Sequence, residues 1–220
     1  DSLNNEYTHE GRSLAIPPTL LISAIAPVPD VRSCITMDLK EPGNVLVLLG
    51  LTRLELGGSL WAQHAGATGG RVPRVDPGLG NKIFAALHEA IGRRLVRSCH
   101  DLSEGGLAVA LAEMALAGGL GASVSLGAVP HETGAASDLA LLFSESLSRF
   151  LLEVAPKCVG DLTGLLDGLP MGRLGFVTSG GDGDDAAAPR LIVRGLGGSI
   201  VLDGALADLK TAWQRPLRDL

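Results

Sequence analysis

The order of apolar patterns along the chain predicts an α/β (α+β) domain: a mixed sheet with helices packed against it. Three observations carry that expectation. Apolar residues make up 46% of the 220, enough to bury a sizeable core and too many for a mainly disordered chain. Short β-type runs and amphipathic helical stripes both recur. The two kinds of pattern mix without strict alternation, which points away from an all-parallel fold. No internal repeat is evident.

Taken in order, the first β-type stretch is Thr19-Leu20-Leu21-Ile22-Ser23-Ala24-Ile25. It is entered through Pro17-Pro18 and closed by Pro27 and Pro29, a placement that a strand tolerates. A second strand is expected at 34–37. The turn Glu41-Pro42-Gly43-Asn44 leads into Val45-Leu46-Val47-Leu48-Leu49, apolar on both faces and therefore expected in the middle of a covered sheet. A short helical run follows Gly57-Gly58-Ser59 as far as His64. A loop rich in Gly and Pro, 66–80, separates it from an amphipathic helix whose stripe is Ile83, Leu87, Ala90, Ile91 and Leu95. Residues 95–99 are expected to form the next strand. Ser103-Glu104-Gly105-Gly106 then opens a helix with Leu107, Ala110, Leu111, Met114 and Ala115 on its apolar side and Gly118-Gly119 as its stop. Further strands are expected at 123–126, 149–154, 174–178, 190–194 and 199–202, and helices at 158–167 and 205–213. Residues 179–189, with Asp182, Asp184 and Asp185 among glycines and alanines, read as a solvated loop. Their spacing does not match an EF-hand.

Charge and composition exclude several functions. The net charge of −6 offers no basic field for a nucleic acid or an anionic membrane. No apolar run reaches the roughly 18–20 residues of a spanning helix. Cys34, Cys99 and Cys158 are odd in number and widely spaced, which argues against a disulfide framework or zinc ribbon and suits a reducing cytoplasm. Each is expected as a small buried hydrophobe. The opening Asp1-Ser2-Leu3-Asn4-Asn5-Glu6 shows no signal-peptide pattern and is expected to continue a longer chain.

Three segments carry candidate chemistry. Gly57-Gly58-Ser59 lets backbone approach a ligand, and free amides at the following helix start favour an anion such as phosphate; it also reads as an ordinary tight turn. In His100-Asp101-Leu102-Ser103-Glu104-Gly105-Gly106, Ser103 is placed to cap the helix and Glu104 to complement its dipole. His100 and Asp101 suit acid–base or metal-ligand roles, and equally suit hydrogen bonds to each other and the turn. Ser144-Glu145-Ser146-Leu147-Ser148-Arg149 offers groups for a ribose, base edge or phosphate, or forms a polar loop tied by an internal Glu–Arg pair. No Walker loop, G-x-G-x-x-G fingerprint or Ser/His/Asp order appears.

These segments occur together, and in order, in one family. Asp1-Ser2-Leu3-Asn4-Asn5-Glu6, Ile16-Pro17-Pro18-Thr19-Leu20, Thr36-Met37-Asp38-Leu39-Lys40, Glu55-Leu56-Gly57-Gly58-Ser59, Val72-Pro73-Arg74-Val75-Asp76, the run 100–111, Leu142-Phe143-Ser144-Glu145-Ser146 and Leu209-Lys210-Thr211-Ala212-Trp213 resemble the phosphoribosylformylglycinamidine synthases. These are members of the aminoimidazole ribonucleotide synthetase superfamily. The resemblance implies a carboxy-terminal α/β domain at 13–220, preceded at 1–12 by the tail of an amino-terminal ATP-handling domain. It implies an ATP- and magnesium-using ligase that takes ammonia from a glutaminase domain or subunit, in the cytoplasm. Carried over by position, it assigns Asp1 to metal binding, and Ser2, Gly57, Gly58, Ser59, His100, Asp101, Ser103, Gly105, Gly106, Glu145 and Ser146 to a small-molecule nucleotide or its phosphates. It names no catalytic residue. The family run has Pro after Glu-Ser where this chain has Leu147. The expected partners are the amino-terminal domains of the same enzyme. In their absence apolar surface at 16–21 and near Leu147 is expected to be exposed, giving a weak homodimer. A non-catalytic nucleotide-binding scaffold, or a relative such as a selenophosphate synthetase or thiamine-phosphate kinase, is the alternative.

Overall fold

The computed structural model describes residues 2–3, 5–17, 19–179 and 188–218. Asp1 and the aspartates Asp182, Asp184 and Asp185 lie outside the described residues. The chain divides into two units, Asp1–Arg32 and Ser33–Leu220.

The first unit holds β1 (Ser2–Leu3), β2 (Glu6–His9), β3 (Arg12–Ala15) and β4 (Thr19–Leu20). β2 and β3 form an antiparallel hairpin and β1 pairs antiparallel with β4. The hairpin turns at Glu10 and Gly11, both with positive φ, as a tight two-residue loop requires. The strand expected at 19–25 is confined to β4. Ile22 and Ile25 are exposed, so the alternating pattern meets no apolar face and residues 21–30 form neither strand nor helix. No described residue of this unit is buried.

The second unit is built on a seven-stranded sheet. In chain order its elements are β5 (Val45–Leu49), α1 (Leu60–His64), α2 (Pro77–Gly92), β6 (Ser98–Asp101), α3 (Gly106–Gly118), β7 (Gly121–Ser125), α4 (Asp138–Phe143), β8 (Phe150–Val154), α5 (Val159–Leu165), β9 (Met171–Thr178), β10 (Arg190–Arg194), β11 (Ile200–Ala205) and α6 (Leu206–Arg218). The strand order is β11-β10-β7-β9-β5-β8-β6. Only the β10–β7 pair is parallel, so the sheet is mixed, as expected.

Alternation within β5 divides the core in two. Leu46 and Leu48 pack with α3, α4 and the start of α6, while Val47 and Leu49 pack with α2 and α5. A strand apolar on both faces is what such double cover demands. The stripe of α2 buries Ile83, Leu87 and Ala90, behind an Asp76 cap and Pro77 in the first turn. The helix ends at Gly92. Arg94, at φ 58, turns the chain, so Leu95 joins the second core from outside the helix.

Some boundaries differ from expectation. The strand after α2 is Ser98–Asp101, because Leu95 and Val96 are apolar for core packing rather than for the ladder. Residues 34–37 form no strand; a single bond joins them to the sheet edge, with the Cys99 amide donating to the Thr36 carbonyl at 3.2 Å. No helix is expected at 138–143, where α4 forms behind a Ser137 cap whose hydroxyl accepts from the Ala140 amide. Nor are the cysteines uniformly buried. Cys99 and Cys158 are half-buried against the second core, and Cys34 is exposed in the irregular stretch beside β6. Among the described residues no helix is long and apolar enough to cross a membrane.

Candidate functional site

Strand register gathers the candidate segments. Leu49 pairs with both Phe150 and Met171, and Asp101 pairs with Phe150. The ends of β5 and β6 and the starts of β8 and β9 therefore share one end of the sheet. The chain enters or leaves that end through 50–59, 102–106 and 144–149. All three segments quoted for chemistry meet there.

Glu145 links them. Its Oε1 accepts from the Leu60 amide, the first residue of α1, and from the Gly105 amide, each at 2.8 Å. Its own amide donates to the Glu55 carbonyl at 3.2 Å. A carboxylate at a helix start is favoured by the unpaired amides and the helix dipole, and here one oxygen serves two such starts.

The helix α3 is not capped by Ser103. Its N-cap is Gly105, with no side-chain cap, and the Ser103 carbonyl accepts from the Gly106 amide at 3.1 Å. The reason lies at Gly106, which has φ 62. A Cβ there would stand 2.5 Å from the Ser144 carbonyl oxygen and 2.8 Å from that of Leu142. The helix can start this close to the 142–144 backbone only on a glycine, and the Glu145 carboxylate holds the amide of the N-cap residue Gly105 itself.

The glycine turn is also internally bonded. Ser59, fully buried, caps α1: its Oγ accepts from the Ala62 amide at 3.1 Å and donates to the Leu56 carbonyl at 2.8 Å. The Gly57 amide donates to the Arg71 carbonyl at 2.8 Å. Ser146 is buried as well, its Oγ accepting from the Arg53 amide and donating to the Arg53 carbonyl. Gly58, Asp101 and Ser103 remain exposed. The amides of Gly57, Leu60, Gly105 and Gly106, expected to be free for an anion, thus have partners within the chain.

Behind the turns lies a buried cation. Arg149 is 1% exposed. Its Nε donates to the Ser146 carbonyl at 2.9 Å and its Nη1 to Thr52 Oγ1 at 3.1 Å, while Nη2 donates to the Ser144 carbonyl. Burial pushes its pKa down to about 10, opposed by the negative charges of Glu55 and Glu145, so the guanidinium is charged at neutral pH. Among the described residues it bonds no carboxylate, so the internal Glu–Arg pair of one reading does not form. Glu55 is 2% exposed; its Oε1 accepts from the Arg74 amide at 3.1 Å, and its Oε2 is buried without a hydrogen bond. Nothing in the local sequence marks Glu55 as buried, because the Arg74 amide that it accepts from lies 19 residues further along the chain.

His100 lies between two carboxylates. Its Nε2 is 2.9 Å from Glu113 Oε2, and its Nδ1 is 3.4 Å from Asp101 Oδ1. The hydrogen bond goes to Glu113 of α3, while Asp101 stands at ion-pair distance. Among the described residues no three His, Cys, Asp or Glu side chains are placed to hold a metal ion.

A seven-stranded mixed sheet with its segments converging at one end defines a recognisable class. Residues 41–185 match the family described as AIR synthase related protein, C-terminal domain, and the chain belongs to that family. It is similar to the phosphoribosylformylglycinamidine synthase subunit PurL of Deinococcus radiodurans, at 37% identity over all of this chain and 28% of the relative. The subunit PurL of Alkaliphilus metalliredigens is 32% identical over 99% of this chain and 28% of its own length. The chain thus spans little more than a quarter of these curated relatives. Among solved structures, T. maritima PurL complexed with FGAR aligns over 81% of this chain and 30% of its own, with TM-score 0.69 and 22% identity. Hydrogenase maturation protein HypE in complex with ATP aligns over 80% of this chain and 54% of its own, with TM-score 0.54 and 18% identity. At such identities these structures establish a shared fold.

Proposed function

We propose that this chain is the carboxy-terminal domain of a phosphoribosylformylglycinamidine synthase, and that the sheet end formed by 50–59, 102–106 and 144–149 faces the nucleotide-bearing cleft. The observation that carries this reading is the convergence of the three segments through strand register, in a chain similar throughout to PurL subunits. ATP activates the formamide oxygen of formylglycinamide ribonucleotide as a phosphate ester, and ammonia displaces that phosphate to give the amidine. In this reading the domain shapes and closes the cleft. The exposed Gly58, Asp101 and Ser103 supply direct contacts, and the buried Gly57, Ser59, Gly105, Gly106 and Ser146 hold the turns in place. In the assembled enzyme Asp1 would help to hold magnesium, and Ser2 a nucleotide phosphate. The catalytic phosphate-transfer groups, and a glutaminase delivering ammonia, belong to other domains or subunits.

A second reading has its own support. Because Glu145 already takes the Leu60 and Gly105 amides, the domain also suits a scaffold that touches no nucleotide. One experiment separates the two. This chain replaces the matching part of the Deinococcus radiodurans subunit, and amidine formation is assayed with ATP and ammonia, the chain alone serving as control. The enzyme reading expects activity in the chimera and none in the chain alone, with Ser103→Ala raising the KM for a nucleotide substrate several-fold. An active chimera indifferent to Ser103→Ala favours the scaffold; a folded, ATP-binding chimera that forms no amidine overturns the assignment.

A further inference from the structure

Arg149 is a buried cation that, among the described residues, has no carboxylate in direct contact. Such a charge is costly to desolvate, and the neutral oxygens that hold it bond it more weakly than a carboxylate does. Where its donors go is informative. Two of its three acceptors, the Ser144 and Ser146 carbonyls, flank Glu145 on either side; the third is Thr52 Oγ1, on the segment leaving β5. Ser148, at φ 58, turns the chain so that the guanidinium doubles back over these carbonyls. A planar fork of fixed donors sets the relative orientation of all three oxygens, which a lysine ammonium does not do. The peptide entering Glu145 and the peptide leaving Ser146 are thereby pinned, and the Glu145 carboxylate held between them reaches two amides of distant elements at 2.8 Å.

We propose that Arg149 is the positioning residue of this site: it aims the Glu145 carboxylate so that one oxygen holds the start of α1 and the turn before α3 at a fixed separation. The proposal deepens the reading of the previous section and rests on it for its bearing on catalysis. Its physical content is tested on this chain alone.

The test is amide hydrogen exchange by NMR on the wild-type chain and four variants. Glu145→Ala speeds exchange at both Leu60 and Gly105 by tenfold or more. Arg149→Lys speeds the same two amides together, by at least threefold, and Arg149→Gln by more. The Ala62 amide, which bonds to Ser59 Oγ in the same helix, keeps its wild-type rate. Thr52→Val removes one of the three oxygens at nearly constant volume, shifts the pair in the same direction, and decides the matter if the arginine variants do not fold. Wild-type rates at Leu60 and Gly105 in folded Arg149→Lys, or in Thr52→Val if that lysine variant does not fold, overturn the proposal, as does equal acceleration of Ala62. An inactive chimera with the expected exchange pattern would remove the functional reading and leave the positioning role intact.

Discussion

Glu153 organises the end of the sheet opposite the site. Fully buried on β8, it accepts from the Lys40 and Glu41 amides at 2.8 and 3.0 Å, from Asn44 Nδ2 at 2.7 Å and from Ser98 Oγ at 2.9 Å. The turn entering β5 and the start of edge strand β6 are thus tied to one carboxylate. Glu153→Ala leaves these donors without their acceptor, so urea denaturation should show a loss of at least about 3 kcal/mol; a loss under about 1 kcal/mol would contradict the assignment. The thiols differ for an equally local reason. Burial, aided by the Asp101 charge, raises Cys99 from an ordinary value near 9 to about 12. A raised thiol pKa leaves less thiolate, and thiolate is what alkylates. Iodoacetamide at pH 8 should modify the exposed Cys34 first and leave Cys99 protected until the chain unfolds. Equal rates for the two in the folded chain would count against that placement.

At the scale of elements, α3 shows how much was legible in the sequence and where legibility ended. Its stripe of Leu107, Ala110, Leu111, Met114 and Ala115 is buried as read, and Gly119 closes it at φ 65 with its amide donating to the Ala115 carbonyl. The apolar periods of α2 and β5 were equally plain, because each is a local pattern of one element against one core. The start of α3 was not legible. Ser103 has the chemistry of a cap, but the helix start is tied instead through the Gly105 amide by Glu145, which lies 40 residues from Gly105 and 85 from Leu60 along the chain. No local spacing encodes a contact of that separation. The same limit hid Glu113 as the partner of His100, and the role of Arg149, whose acceptors are set by the tertiary position of Thr52. The two ends of α3 make a measurable contrast. Gly119→Ala meets open space and should cost about 1 kcal/mol for its left-handed backbone. Gly106→Ala adds a Cβ inside the contact distance of two carbonyls and should cost several-fold more by thermal or urea denaturation. Equal losses would mean that the helix start can back away from the 142–144 turn.

At the scale of the molecule, the two units differ in what they bury. The second carries two apolar cores on opposite faces of its sheet, while the first has no buried described residue. Ile16, Leu20 and Leu21 are exposed there, and Leu147 is exposed at the site end of the second unit. Apolar surface of this kind favours association, so sedimentation of the chain alone should show weak self-association that rises with concentration. A clean monomer at high concentration would contradict this. The central claim is that the sheet end bearing 50–59, 102–106 and 144–149 faces bound nucleotide in the assembled enzyme. Hydrogen exchange of the chimera, with and without ATP and formylglycinamide ribonucleotide, tests it most directly. The account predicts protection appearing together in 57–60, 101–106 and 144–149, with no change at the opposite end of the sheet, in 40–44 and 95–98. Protection confined to that opposite end, or bound ligand with no change in any of the three segments, would contradict it.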